Sequence, residues 1–193
     1  MFERRVLLAD PDVEFRKKLK DLLQQQGYLV VAETEDGRST QQAAFQNQPD
    51  LIIMEGDLPG SKGLEVARTI EEHHLAPVVL VTSHSHRELI EEAKFSAVLG
   101  YLTKPIDEAN LIPTLEMALA TFKRLVRMEQ ENRKLKKMLE EKKLVDHAKR
   151  LLIEKKGLSE QAAYRHLQKL SMDYSSSLAK VAQRIITSLA RDH

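Results

Sequence analysis

The chain of 193 residues contains no cysteine, which excludes a disulfide framework and a thiolate metal site and suits a reducing cytosol. No apolar run approaches the length that spans a bilayer, and Met1-Phe2-Glu3-Arg4-Arg5 leads directly into a strand without a signal-peptide core. The expectation is a soluble cytoplasmic protein with no membrane partner. Glycine and proline are missing from the whole stretch between Pro113 and Gly157, so nothing there breaks a helix. A surplus of charge of either sign is also lacking, since the net value is +1. That balance conceals a segregation. Residues 1–121 hold 12 Lys/Arg against 20 Asp/Glu, or −8, and residues 122–193 hold 18 against 9, or +9. The basic half invites a polyanion and the acidic half is a poor nucleic-acid surface.

With 42% hydrophobic residues, the chain can bury a core, and its length suits one average domain plus a smaller one. The stretch free of helix breakers, Asn110 to Lys156, reads as one long helix. Asn110 is the expected N-cap, which puts Pro113 in the first turn, where a missing N–H does no harm. Leu111, Leu115 and Ala118 are assigned to the core of the preceding domain. From residue 122 to 143 the pattern changes to a heptad seam, with Leu125, Asn132 and Leu139 at one position and Met128 and Leu135 at the other. In this register Arg124 and Glu131 meet Glu129 and Lys136 of a second strand with opposite charges. Asn132 within the seam favours two parallel strands, because each amide is satisfied only by its mate. A parallel homodimer is therefore expected.

Before this helix, apolar strands alternate with amphipathic helices. Strands are expected at Val6–Ala9, Tyr28–Ala32, Leu51–Met54, Pro77–Val81 and Val98–Leu102. A first helix carries Phe15, Leu19, Leu22 and Leu23, and others cover Thr40–Asn47, Leu64–His73 and Arg87–Phe95. The pattern predicts an α/β doubly wound, five-stranded parallel sheet, followed by the long coiled-coil helix and a small all-α three-helix bundle. In such a sheet the ligand site lies beyond the carboxyl ends of the strands. That rule selects Asp10 and Asp12, Glu55 and Asp57, Thr82, and Lys104. Carboxylates, a hydroxyl and a lysine in one crevice are the equipment for Mg²⁺-assisted phosphoryl transfer to a carboxylate. His84 and His86, after Thr82, read as a solvated pair rather than metal ligands.

The strings LLADPD (7–12), PDLIIMEGDLPG (49–60), VTS (81–83) and GYLTKP (100–105) resemble the receiver domain of bacterial two-component response regulators, over about the first 110 residues. The resemblance implies a flavodoxin-like fold, an Mg²⁺-binding acid pair after the first strand and a phosphorylated Asp after the third. It also implies a Thr and a Lys that hold the phosphoryl group, matched by Thr82 and Lys104, and an aromatic switch residue, matched by Tyr101. Two departures stand out. The phosphoacceptor position is occupied by Glu55, and the acid pair falls on Asp10 and Pro11, with Asp12 one place late. A Glu carries its carboxylate about 1.5 Å further than Asp, toward the place of a phosphoryl oxygen, where it can pair with Lys104. Proline supplies no ligand. The expectation is a degenerate receiver with no resident cofactor, a weakened Mg²⁺ site, and no catalytic residue. Asp57, two residues past the strand, is the less favoured substitute acceptor.

Beyond the seam, Leu144, Ala148, Leu151 and Leu152 form an apolar stripe that ends at Gly157, a C-terminal stop. Ser159 caps a second helix whose inward face is Ala162, Ala163, Leu167 and Leu170. Ser176 or Ser177 caps a third, with Leu178, Val181, Ala182, Ile185, Ile186 and Leu189 apolar. Three such helices have too small a core for a catalytic domain. Lys149, Arg150, Lys155, Lys156, Arg165, Lys169, Lys180 and Arg184 form a cluster able to neutralise phosphates. Tyr164 or His166 could stack on an unpaired base, although Ala163 and Leu167 beside it favour a half-core role for Tyr164. The string HAKRLLIEKKGLSEQAAYRHLQKLSMDYSSSLAKVAQRII (147–187) resembles the ANTAR domain, an RNA-binding module of transcription antitermination. The domain is taken as residues 132–193, with its first helix continuous with the coiled coil, after a receiver of residues 1–121.

Receiver, coiled coil and this module in this order resemble the amide- and ethanolamine-type antitermination regulators. The resemblance implies binding to tandem RNA hairpins that exclude a terminator. Its input partner would be a regulatory protein or a sensor kinase. A DNA-binding response regulator is the nearest rival, and it lacks support because no short turn precedes a helix dense in base-reading groups. A phosphate-sink receiver is the rival from another class, and Glu55 counts against it. The seam makes its own prediction. Asn132→Leu should raise thermal stability and blur the oligomeric state, and sedimentation of the unmodified protein as a monomer at micromolar concentration would refute the dimer.

Overall fold

The computed structural model describes residues 4–83 and 98–191. The helix expected over Arg87–Phe95, and His84 and His86, lie outside the described residues. The chain divides into two compact units, Met1–Arg127 and Met128–His193.

In the first unit β1 (Arg4–Ala9), β2 (Tyr28–Thr34), β3 (Leu51–Glu55), β6 (Val78–Thr82) and β7 (Val98–Thr103) form a parallel sheet in the order β2-β1-β3-β6-β7. A two-residue pair, β4 (Asp57–Leu58) and β5 (Ser61–Lys62), makes a separate antiparallel hairpin. Central strands read as unbroken apolar runs because both of their faces are covered: every residue of β3 and β6 is buried. The period of two then sorts the side chains into two cores. Val6, Leu8, Leu51, Ile53, Val79 and Val81 face Leu19 and Leu23 of α1 (Val13–Gln25) and the start of α4 (Glu108–Lys156). Leu7, Ala9, Ile52, Met54, Val78 and Leu80 face α2 (Gly37–Asn47) and α3 (Gly63–Glu72) through Ala44, Leu64, Val66, Ala67 and Ile70. Edge strands β2 and β7 are only partly buried.

The long helix begins two residues earlier than the sequence reading placed it. Asp107, not Asn110, holds its N-terminus: the Asp107 carboxylate accepts from Ala109 N at 3.0 Å and from Asn110 Nδ2 at 2.9 Å. An aspartate at this position satisfies a free backbone N–H directly, so Asn110 is drawn into the helix as a partner of the cap. Pro113 is consequently inside the helix. Leu111, Leu115, Ala118 and Leu119 are buried in the first core. The seam residues that follow are open to solvent, with Leu125 at 47%, Met128 at 59%, Leu135 at 65% and Leu139 at 53% exposure, and Asn132 is also exposed.

In the second unit α4 ends at Gly157, whose φ of +63° is the left-handed turn that glycine adopts without a Cβ clash. Ser159 caps α5 (Glu160–Asp173) by accepting from Ala162 N at 3.2 Å, and Ser177 Oγ accepts from Lys180 N at 3.4 Å ahead of α6 (Leu178–Arg191). Ala148, Leu152, Ala163, Leu167, Val181 and Ala182 are the buried centre of this three-helix unit.

Candidate functional site

Four strand ends converge in the first unit. Asp10 follows β1, Glu55 closes β3, Thr82 closes β6, and Lys104 follows β7. Backbone bonds continue past the ladder and fix their places: Asp10 N donates to Thr34 O at 3.0 Å, Gly56 N to Val81 O at 3.0 Å, and Lys104 N to Thr82 O at 2.8 Å. Asp10, Glu55 and Thr82 are buried. Lys104 Nζ lies between two carboxylates, 2.5 Å from Asp10 Oδ2 and 2.6 Å from Glu55 Oε2. The Phe15 ring covers the ammonium at 4.1 Å. Burial alone would depress the Lys104 ammonium, but the bonds to Asp10 and Glu55 and their charges outweigh it and hold the group above its ordinary range.

The other expected residues occupy the margin. Tyr101, half-buried on β7, has its phenol pushed up by burial and by the charge of Glu55. Asp12 is the N-cap of α1, and the Phe15 amide that it accepts from at 3.0 Å holds its carboxyl below the usual range. Asp57 is exposed and stands opposite Lys62 in the hairpin. Two participants escaped the sequence reading. Phe15 packs against the core as its helical spacing predicts, and its place three residues after Asp12 also brings the ring over Lys104. Arg16, one residue on, donates from Nη1 to the Asp10 carbonyl.

Whether these residues fit a Mg²⁺ ion can be read from the donors. Asp10 Oδ1 accepts from Asp12 N at 2.8 Å and its Oδ2 is bound by Lys104. Glu55 Oε1 accepts from Gly56 N at 2.8 Å and its Oε2 is bound by Lys104. Asp12 is occupied as a helix cap, and Pro11 offers nothing. The ammonium stands where a cation would join the two acids, so the donor set does not fit the metal. Among the described residues no cluster of three or more His, Asp or Glu is spaced to hold one.

Removing one member of a buried ion pair leaves uncompensated charge, at a cost of about 3–5 kcal/mol. Lys104→Met should therefore lower the urea midpoint of the receiver by a corresponding amount. The native Lys104 value lies above its ordinary 10.5. Its stabilisation is then complete below pH 10.5 and is lost as pH rises through the native value. The stability gap between the unmodified protein and Lys104→Met should narrow above pH 10.5, and a constant gap in urea titrations across that range would contradict the assignment.

The second unit carries the basic cluster. Arg150, Lys155, Lys156, Arg165, Lys169, Lys180 and Arg184 are exposed. Lys149 differs: its ammonium is bound to Asp146 at 3.0 Å and to Glu160 at 3.2 Å, and those bonds raise its pKa. Lys155 Nζ donates to the Leu189 carbonyl at 2.5 Å, and Arg184 stacks 5.8 Å from the centre of the Tyr174 ring. Tyr164 is 40% exposed and lies outside the buried core cluster, a half-covered position beside Val145 and Leu178. Tyr174, 62% exposed, is a second aromatic group that sequence reading did not single out; its setting in a Ser-rich turn was the available signal.

Residues 6–116 match the response regulator receiver domain, and residues 133–186 match the ANTAR domain. The transcriptional regulatory protein PdtaR of Mycobacterium tuberculosis is 35% identical over 186 residues, which are 96% of this chain and 91% of that protein. A solved two-component response regulator of the LuxR family from an Aurantimonas species aligns at 30% identity with a TM-score of 0.58, over 62% of this chain and 87% of that one. The response regulator domain of Thermotoga maritima CheB aligns at 25% identity with a TM-score of 0.57, over 62% and 98%. Two domain matches in this order, with a relative that spans nearly the whole length, make the chain a member of the response regulators that join a receiver to an ANTAR domain, regulators of transcription antitermination.

Proposed function

We propose that the protein is a dimeric, cytoplasmic RNA-binding antiterminator that presents two ANTAR modules to tandem RNA hairpins. It works by binding rather than by catalysis. The observation that carries this reading is the segregated charge: a second unit whose exposed residues include Arg150, Lys156, Arg165, Lys169 and Lys180 follows a receiver with a balance of −8. Phosphate contacts of this kind dominate nucleic-acid affinity. The exposed apolar row from Leu125 to Leu139 supports a second copy as its cover, and linking two weak sites raises avidity by about 10²- to 10⁴-fold. Tandem hairpins should therefore bind far more tightly than a single one, and Arg165→Ala should weaken binding with a shallower salt dependence. Electrophoretic mobility shifts at two salt concentrations test this. Equal affinity for single and tandem hairpins, or a preference for duplex DNA, would defeat it.

The receiver takes its signal without a phosphoaspartate in this proposal. Glu55 stands at the acceptor position, and its carboxylate is held by Lys104 in a crevice that does not suit Mg²⁺, so a regulatory protein or a kinase would act on the receiver by contact. Incubation with acetyl phosphate and Mg²⁺ should leave the intact mass unchanged. An adduct of one phosphoryl group would overturn this, and its loss in Asp57→Ala would move the acceptor to Asp57.

A further inference from the structure

The root of the long helix is held to the first unit by polar contacts that serve neither the crevice nor the apolar core. Glu116 Oε1 accepts from Tyr28 Oη at 2.7 Å and is bound by Arg4 Nη1. Arg4 and Tyr28 are partners across the β1–β2 ladder, and the guanidinium lies 6.0 Å from the centre of the Tyr28 ring. On the other flank of α4, Thr114 is seated against Gly100 of β7: a Cβ on Gly100 would come 2.9 Å from Thr114 Cγ2 and 3.0 Å from Val79 Cγ2. We propose that Glu116 is the positioning residue of this helix, fixing its roll on the receiver and, resting on the dimer reading above, the direction in which the seam faces.

Three observations carry the assignment. First, successive residues of an α-helix turn by about 100°, so Thr114 and Glu116 stand on opposite flanks of Leu115, which is buried in the core between them. A helix gripped on both flanks cannot turn about its axis without breaking a grip. Second, the apolar face sets no such limit. Leu111, Leu115, Ala118 and Leu119 spread over an arc of about 100°, and apolar burial is non-directional, whereas a hydrogen bond weakens steeply off line. Tyr28 is 6% exposed, so a roll that removes its partner leaves a buried hydroxyl unsatisfied. Third, the first seam residue, Leu125, lies within the same unit, only about two and a half turns beyond Glu116, and is 47% exposed. The roll that Glu116 fixes is the one at which Leu125 faces solvent. The clamp is also remote from the ion triad: Arg4 opens β1 and Asp10 follows its last residue, roughly 20 Å further along the strand.

The absence of native cysteine makes single thiols clean reporters in the full-length protein. Ala118, two residues after Glu116, and Ala44, under the opposite face of the sheet, are both buried; each is replaced by cysteine and its reaction with a maleimide is timed. Adding Glu116→Ala should speed labelling of Ala118→Cys by about 10-fold, the factor for a lost hydrogen bond to a charged group, and leave that of Ala44→Cys unchanged. Gly100→Ala, which pushes on the other flank, should do the same. Glu116→Gln, whose amide oxygen still accepts from Tyr28, should stay close to the unmodified protein. In sedimentation, Glu116→Ala should raise the dimer dissociation constant by a similar factor with the seam untouched, because only a fraction of the helices then present it. If Glu116→Ala leaves Ala118→Cys labelling unchanged, or accelerates Ala44→Cys equally, Glu116 does not position the helix and the inference falls. If labelling responds and the dimer constant does not, the roll does not govern the seam and that half of the inference is overturned. If the unmodified protein sediments as a monomer, the dimer reading fails, while the labelling still decides the clamp.

Discussion

An ammonium between two buried carboxylates cannot be moved cheaply. Once Lys104 bridges Asp10 and Glu55, the ends of β1, β3 and β7 are tied at one point, and the crevice of the receiver is filled by its own cation. Losing either acid or the lysine strands the remaining charge in a medium that solvates it poorly. The glutamate is central to this arrangement. Its extra methylene brings Oε2 to 2.6 Å from Nζ while Oε1 still accepts from Gly56 N, so both oxygens are satisfied without a metal or a phosphoryl group. The phenyl ring of Phe15 closes the remaining side. The receiver has the sheet and helices of its family, and its crevice holds an internal ion triad of Asp10, Glu55 and Lys104.

The two units use charge in opposite ways. In the receiver, the positive group is buried and fully matched. In the ANTAR unit most of the positive groups are exposed, and the few that are matched are held for position. Lys155 satisfies a carbonyl near the end of α6, and Lys149 joins α4 to the first turn of α5. A cluster of cations on a three-helix unit is self-repelling, so pairing some of them internally reduces the strain while leaving the rest available.

The sheet could be read from the chain with few errors, because strands buried on both faces contain little besides Val, Leu and Ile, and glycine and proline mark their ends. Asp10, Glu55, Thr82 and Lys104 were legible because topology alone dictates that strand ends meet, whereas Asp57 lies in the exposed hairpin and the contacts of Phe15 and Arg16 carried no such signal. What the sequence concealed was local competition. Asp107 and Asn110 are both good caps, and only the structure shows that the aspartate takes the role. Lys149 looks like any other lysine in a basic stretch until Asp146 and Glu160 are seen at its head. Helix periodicity reports faces, whereas the partner of a long flexible side chain depends on elements far away in sequence.

The alternation of side chains along the strands has a further consequence. Ile53 and Val81, each within two residues of the crevice, share a core with Leu111, Leu115, Ala118 and Leu119 of α4. The root of the long helix is therefore part of the same packed layer as the strand ends that carry Glu55 and Thr82. Close-packed layers rearrange between discrete states rather than deforming smoothly. Free-energy linkage between two sites is reciprocal, so a restraint on the helix root that shifted this layer would be felt at the crevice to the same extent as the reverse. The receiver would then report on the engagement of its own helix as much as it governs it.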